Sequence, residues 1–86
     1  MSGTIHELKI AAPYYDAVLS GDKNFEIRFN DRGFQKGDTV KLVATLQNST
    51  RRDLDRSEPL FFKITYVTNF AQKEGWVVFG MKRITN

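Results

Sequence analysis

Apolar residues in this chain alternate more often than they recur at helical spacing. In residues 23–30, Phe25, Ile27 and Phe29 alternate with Asn24, Glu26, Arg28 and Asn30. That unbroken period of two predicts a strand with its apolar side chains toward a core and its polar side chains toward a cleft or solvent. Residues 4–10 predict an earlier strand, with His6, Leu8 and Ile10 on one face and Glu7 and Lys9 on the other; Pro13 forbids its continuation. In 39–46, Val40, Leu42, Ala44 and Leu46 share a face. Residues 60–70 predict a long strand whose even positions are Leu60, Phe62, Ile64, Tyr66, Thr68 and Phe70. Residues 76–84 are apolar on both faces around Val77, Val78, Phe79 and Met81, the pattern of a central strand.

Helical spacing occurs once, in residues 13–20. Tyr14, Ala17 and Val18 fall at i, i+3 and i+4, and Tyr15 and Leu19 widen the stripe. Pro13 suits the first helical position, Asp16 is expected in the first turn, where it complements the helix dipole, and Gly21 is a natural stop. Turns are expected at Asn30-Asp31-Arg32-Gly33 and Lys36-Gly37-Asp38. The one long polar stretch, 47–58, sets Arg51, Arg52 and Arg56 against Asp53, Asp55 and Glu58 and reads as a charge-balanced loop. Five or six strands and one short helix predict a mainly β (α+β) domain, a small β-barrel whose closure removes exposed edges.

At 86 residues the chain has room for one domain, 1–86. The absence of cysteine excludes disulfides and thiolate metal sites, and His6, the single histidine, does not make a zinc site alone. No metal and no cofactor are therefore expected. No apolar run approaches the ~20 residues of a membrane span, and the first residues show neither a charged leader nor an apolar signal core. The expectation is a cytoplasmic protein with no membrane partner. A net charge of +3 permits a nucleic-acid partner without demanding one.

The chemistry concentrates in 20–32. Glu26, Arg28 and Asn30 project together, about 6.5–7 Å between alternate residues. Arg28 and Arg32 offer planar forks to a phosphate or carboxylate, and Glu26 accepts from an amine or amide. The plainer alternative is that Glu26 and Arg28 pair with each other, and that Asn30, Asp31 and Arg32 simply make a turn. His6, beside Leu8 and Ile10, is either a satisfied structural residue or part of a site. Phe34 and Trp76 are core rings or base-stacking rings. Arg51 and Arg52 are solvated, or touch phosphates.

Gly21-x-Lys23-x-x-Glu26-x-Arg28 resembles the motif of ASCH-type domains in the PUA-like superfamily. The chain is more similar still to a small bacterial and phage family of unassigned function, DUF3850. That similarity lies in His6-Glu7-Leu8-Lys9, in the run from Phe25-Glu26-Ile27-Arg28 through Asn30-Asp31-Arg32-Gly33-Phe34, in Gly37-Asp38, in Thr65-Tyr66-Val67 and in Glu74-Gly75-Trp76-Val77-Val78. The resemblance implies a PUA-like barrel with a cleft between helix and barrel, and binding of RNA or a nucleotide-like ligand by His6, Lys23, Glu26, Arg28, Asn30 and Arg32. Some ASCH-type proteins are amidohydrolases that deacetylate N4-acetylcytidine with a Lys, a Thr three residues later and a downstream Glu. Lys23 matches the Lys, but Glu26 stands where the Thr would be, and Glu74 is the nearest late acid. The alternative reading is thus a hydrolase of a modified nucleoside using Lys23 and Glu26 as acid and base. A third is an accessory protein that binds another protein.

Overall fold

The computed structural model describes residues 3–45 and 58–85. Five strands and one helix follow in the order β1 (Ile5–Ala11), α1 (Ala12–Ser20), β2 (Phe25–Phe29), β3 (Thr39–Thr45), β4 (Leu60–Thr68) and β5 (Trp76–Arg83). The strands form one sheet, β1-β3-β4-β5-β2, curled into a half-barrel. The β1–β3 pairing is parallel and the others are antiparallel. Most of the expected loop, and Leu46 with it, lies outside the described residues. Among the described residues no helix is long and apolar enough to cross a membrane.

Alternation puts Leu8 and Ile10, Val40 and Leu42, Leu60, Phe62 and Ile64, and Val77, Phe79 and Met81 on the concave face, where they form the core with Ala12, Tyr15, Val18 and Phe34. Helix α1 covers part of this face. It starts at Ala12, one residue earlier than the sequence suggests, so Asp16 falls beyond the first turn. Its buried stripe is Ala12, Tyr15 and Val18, while Tyr14 and Leu19 point outward. The Tyr15 hydroxyl donates to the Glu58 carbonyl (3.0 Å), tying the helix to the approach to β4. Gly21 ends the helix with φ +89° and donates to the Val18 carbonyl, a conformation glycine adopts without steric cost.

Two strands depart from simple alternation. In β4, Ile64 pairs with Met81 and Tyr66 with Gly80, so Thr65 is an extra residue in a β-bulge. Beyond it the faces exchange: Val67 turns to the core, and Tyr66 and Phe70 are exposed. In β2 the expected orientation is reversed. Phe25, Ile27 and Phe29 are 40%, 50% and 52% exposed, and Glu26 is buried. β2 is an edge strand, paired only with β5, and its concave side meets the open seam of the half-barrel instead of a packed core.

Candidate functional site

Strands β1 and β2 are neighbours in sequence order but occupy opposite edges of the sheet, with α1 crossing between them. Curling brings those edges to face each other across a cleft of about 1190 Å³. Residues 7–11 and 25–29 line it as two consecutive runs, with Tyr14, Lys23, Asp31, Arg32, Phe34 and Trp76. Side chains of consecutive strand residues point to alternate faces, so an unbroken run marks the strand edge itself as the wall.

Glu26 sits at the centre, on the inward side of β2. Its Oε1 accepts from Lys23 Nζ, and its Oε2 accepts from Arg28 Nε at 2.9 Å. Lys23 reaches it because β2 begins only at Phe25. The turn after Gly21, pinned by the Lys23 amide on the Ala17 carbonyl (3.0 Å), leaves Lys23 outside the pleat. A residue three positions away on a regular strand would lie on the opposite face. Lys23 Nζ also donates to the Phe25 carbonyl (2.8 Å) and lies over the rings of Phe25 (5.0 Å) and Tyr14 (5.7 Å). Arg28 Nη2 donates to the Lys9 carbonyl at 2.9 Å, so one side chain spans the seam from β2 to β1.

Electrostatically the group is two cations on one carboxylate, leaving one positive charge in excess. A carboxylate has about four acceptor positions and a guanidinium five donors. With one bond on each Glu26 oxygen and two from Arg28, both groups retain capacity toward a ligand. Arg32 is exposed at the rim, its Nε 4.0 Å from Asp31.

The remaining expected site residues lie elsewhere. Asn30 does not join Glu26 and Arg28. Its Oδ1 accepts from the Phe34 amide (2.8 Å) and shapes the turn, as its position just past the end of β2 dictates. His6 is buried on the concave face, where its Nε2 donates to Asp38 Oδ2 (2.8 Å), and it does not line the cleft. Phe34 packs edge-on against it (centroids 4.8 Å apart) and separates it from the cleft that Phe34 itself lines. Glu74 is exposed in the turn before β5 and is not part of the lining, whereas Trp76 is. Arg51 and Arg52 lie outside the described residues. Sequence reasoning missed Tyr14 and the Lys9 carbonyl. The helical spacing puts Tyr14 on the apolar stripe with Ala17 and Val18, whereas the structure buries Ala12, Tyr15 and Val18 and leaves Tyr14 exposed; a backbone carbonyl carries no sequence signal. Among the described residues no cluster of His, Asp or Glu could hold a metal ion.

The chain has a relative in Escherichia phage P2, described as an uncharacterized 12.9 kDa protein in the GpA 3' region, 48% identical over 47 residues. That alignment takes in 55% of this chain and 43% of the phage protein, so the match spans less than half of the relative's length. The model of the family described as Domain of unknown function (DUF3850) matches residues 5–81, and the chain belongs to that family.

Proposed function

We propose that the seam cleft binds a nucleotide unit of RNA, with Glu26 accepting from a base amine or imide and Arg28 and Lys23 meeting phosphate. The observation that carries this reading is the Lys23–Glu26–Arg28 cluster. It is a buried carboxylate held by two cations with donors to spare, in a cleft edged by Tyr14, Phe25 and Trp76. Phosphate neutralises the excess positive charge, a carboxylate distinguishes base edges by their donors, and rings on the rim stack on bases at roughly 1–3 kcal/mol each. The resemblance of Gly21-x-Lys23-x-x-Glu26-x-Arg28 to ASCH-type, PUA-like domains supports the same ligand class. About two phosphate contacts are expected, because Lys23 and Arg28 share one carboxylate, giving a single-strand salt slope of roughly −1.4. The test is calorimetric titration of wild type and Glu26→Gln with the four nucleoside monophosphates. Binding of at least one in the micromolar-to-millimolar range, lost in Glu26→Gln without a fall in melting temperature, supports the reading. Equal heats for both proteins oppose it.

A second reading, hydrolysis of an acylated base, draws on the direct contact between Lys23 and Glu26. Glu26 would take a proton from water as its oxygen adds to the acyl carbon, with the Lys23 ammonium facing the oxyanion; the base amine then leaves with a proton and the acid is released. Glu26 stands where the ASCH-type amidohydrolases that the motif resembles carry a Thr hydroxyl, so no more than trace turnover of N4-acetylcytidine is expected. Robust turnover abolished in Lys23→Ala would put the enzyme first.

A further inference from the structure

On its outer side the β2–β5–β4 part of the sheet carries a second arrangement, which meets the cleft at Phe25, Phe29 and Trp76 and extends beyond it. Gly80 is the register partner of both Phe25 and Tyr66. The three adjacent strands thus present ring, bare backbone, ring in one row, all on the outward face, with Tyr66 64% exposed. Two strand spacings separate Phe25 from Tyr66 by about 9.5 Å, room for a flat ring over the glycine floor. The bulge sets Tyr66 instead of Thr65 in register with Gly80, and the Thr65 hydroxyl borders the glycine floor, 3.4 Å from where a Cβ would lie.

One row away, about 6.5–7 Å along the strands, Lys63 and Lys82 lie directly opposite each other. Like charges in that relation are destabilising, and neither lysine has an ion-pair partner among the described residues. On the same outer face Lys41 does have one, Glu7 at 3.5 Å. In the other direction Phe29 and Trp76 form an edge-on pair, centroids 6.1 Å apart. Rings at intervals beside uncompensated cations make a stacking surface for a polyanion, whereas an apolar protein partner would leave both ammonium groups to be desolvated.

We infer that this face is a single-stranded RNA platform, with one base held between Phe25 and Tyr66 over Gly80 and a neighbouring phosphate on Lys63 and Lys82. The choice of RNA rests on the reading of the cleft, with which the platform is continuous through Phe25. The platform itself is carried by Gly80, Tyr66, Lys63 and Lys82, none of which lines the cleft.

The experiment is fluorescence anisotropy of a labelled oligouridine decamer, and of the DNA decamer of matching sequence, with wild type, Tyr66→Ala, Gly80→Val, Lys82→Glu and Arg28→Ala. Sedimentation and melting curves are recorded on each protein. A Cβ at Gly80 would meet only Thr65 Oγ1, at 3.4 Å; the melting curve of Gly80→Val shows whether the fold takes the two γ-methyl groups as well, and exposed Tyr66→Ala is an independent second variant. Loss of one stacked base corresponds to about a tenfold or greater loss of affinity for Tyr66→Ala and Gly80→Val, with a smaller, salt-dependent loss for Lys82→Glu. If those variants weaken binding and Arg28→Ala does not, the platform stands and the cleft reading fails. Wild-type affinity in all three face variants, no binding of the RNA decamer by wild type, or binding of the DNA decamer alone overturns the platform. So does a wild-type dimer that Tyr66→Ala dissociates, which would make the face a contact between copies.

Discussion

Two buried carboxylates on the concave side of the sheet, Asp38 and Glu26, are satisfied in opposite ways. Asp38 is held largely by backbone. Its Oδ1 accepts from the Thr4 amide (3.2 Å), and its Oδ2 from the Gln35 amide (3.1 Å) and from His6 Nε2. Its own amide and carbonyl are bonded to Gln35 and Ile64. Gly3 packs so closely that any Cβ there would collide with the carboxylate. Glu26 receives no backbone donor among these bonds. Both its partners are long side chains that reach it from the mouth of a cleft. A carboxylate fixed by amides is part of the fold, whereas one fixed by movable cations can exchange them for a ligand. That difference separates structure from site in a chain of this size.

The largest effect on stability is expected at Asp38. Asp38→Ala strands the donors of Thr4, Gln35 and His6 in a buried place and is expected to cost about 3 kcal/mol, roughly 15 °C in melting temperature for a domain this small. Thermal melts followed by circular dichroism measure it, and a shift of only a few degrees would mean that the pair is ornamental. Gly3→Ala, which presses a methyl against the same carboxylate, should cost less, about 1–2 kcal/mol in the same assay.

Acid sharpens the contrast. Burial alone would raise the Asp38 pKa, but the hydrogen bonds from His6, Gln35 and Thr4 outweigh it and hold the carboxyl below 3.8. A folded value below the unfolded one contributes stability that is complete above the unfolded pKa and is lost as pH falls through the folded pKa. Wild type should therefore lose stability below about pH 4 more steeply than Asp38→Asn. Urea melts at pH 5, 4 and 3 test this, and parallel curves for the two proteins would remove Asp38 from the account. Glu26→Ala is expected to have the smallest effect on stability, about 1 kcal/mol or less, because half-buried Lys23 and Arg28 can turn to water.

Much of this architecture is legible in the sequence. Alternation in β1, β3 and the first half of β4 names the core residues, and Gly21 marks the helix end. The failures have particular causes. A period of two shows that Phe25, Ile27 and Phe29 share a face but not which face is covered; β2 lies at an open edge, and its apolar side is outermost. The Thr65 bulge has no local signal in a run of strand-forming residues, yet it reverses Tyr66 and Val67. The site was half legible. Lys23, Glu26 and Arg28 stand in one short motif and do converge, but Asn30 serves its turn, His6 serves Asp38, and the cleft exists only because sheet curvature faces β1 to β2.

The most direct test of the central claim, that the Lys23–Glu26–Arg28 cluster holds a ligand and not the fold, is titration of a short RNA into wild type and Arg28→Ala at two salt concentrations. Melting temperatures are recorded on the same samples. Arg28→Ala is expected to melt within a few degrees of wild type while binding about tenfold more weakly and with a shallower salt dependence, as for one lost phosphate contact. An Arg28→Ala protein that binds as wild type does and melts as low as Asp38→Ala would contradict it, and would make the bridge from Arg28 to Glu26 and the Lys9 carbonyl a clasp for the open seam.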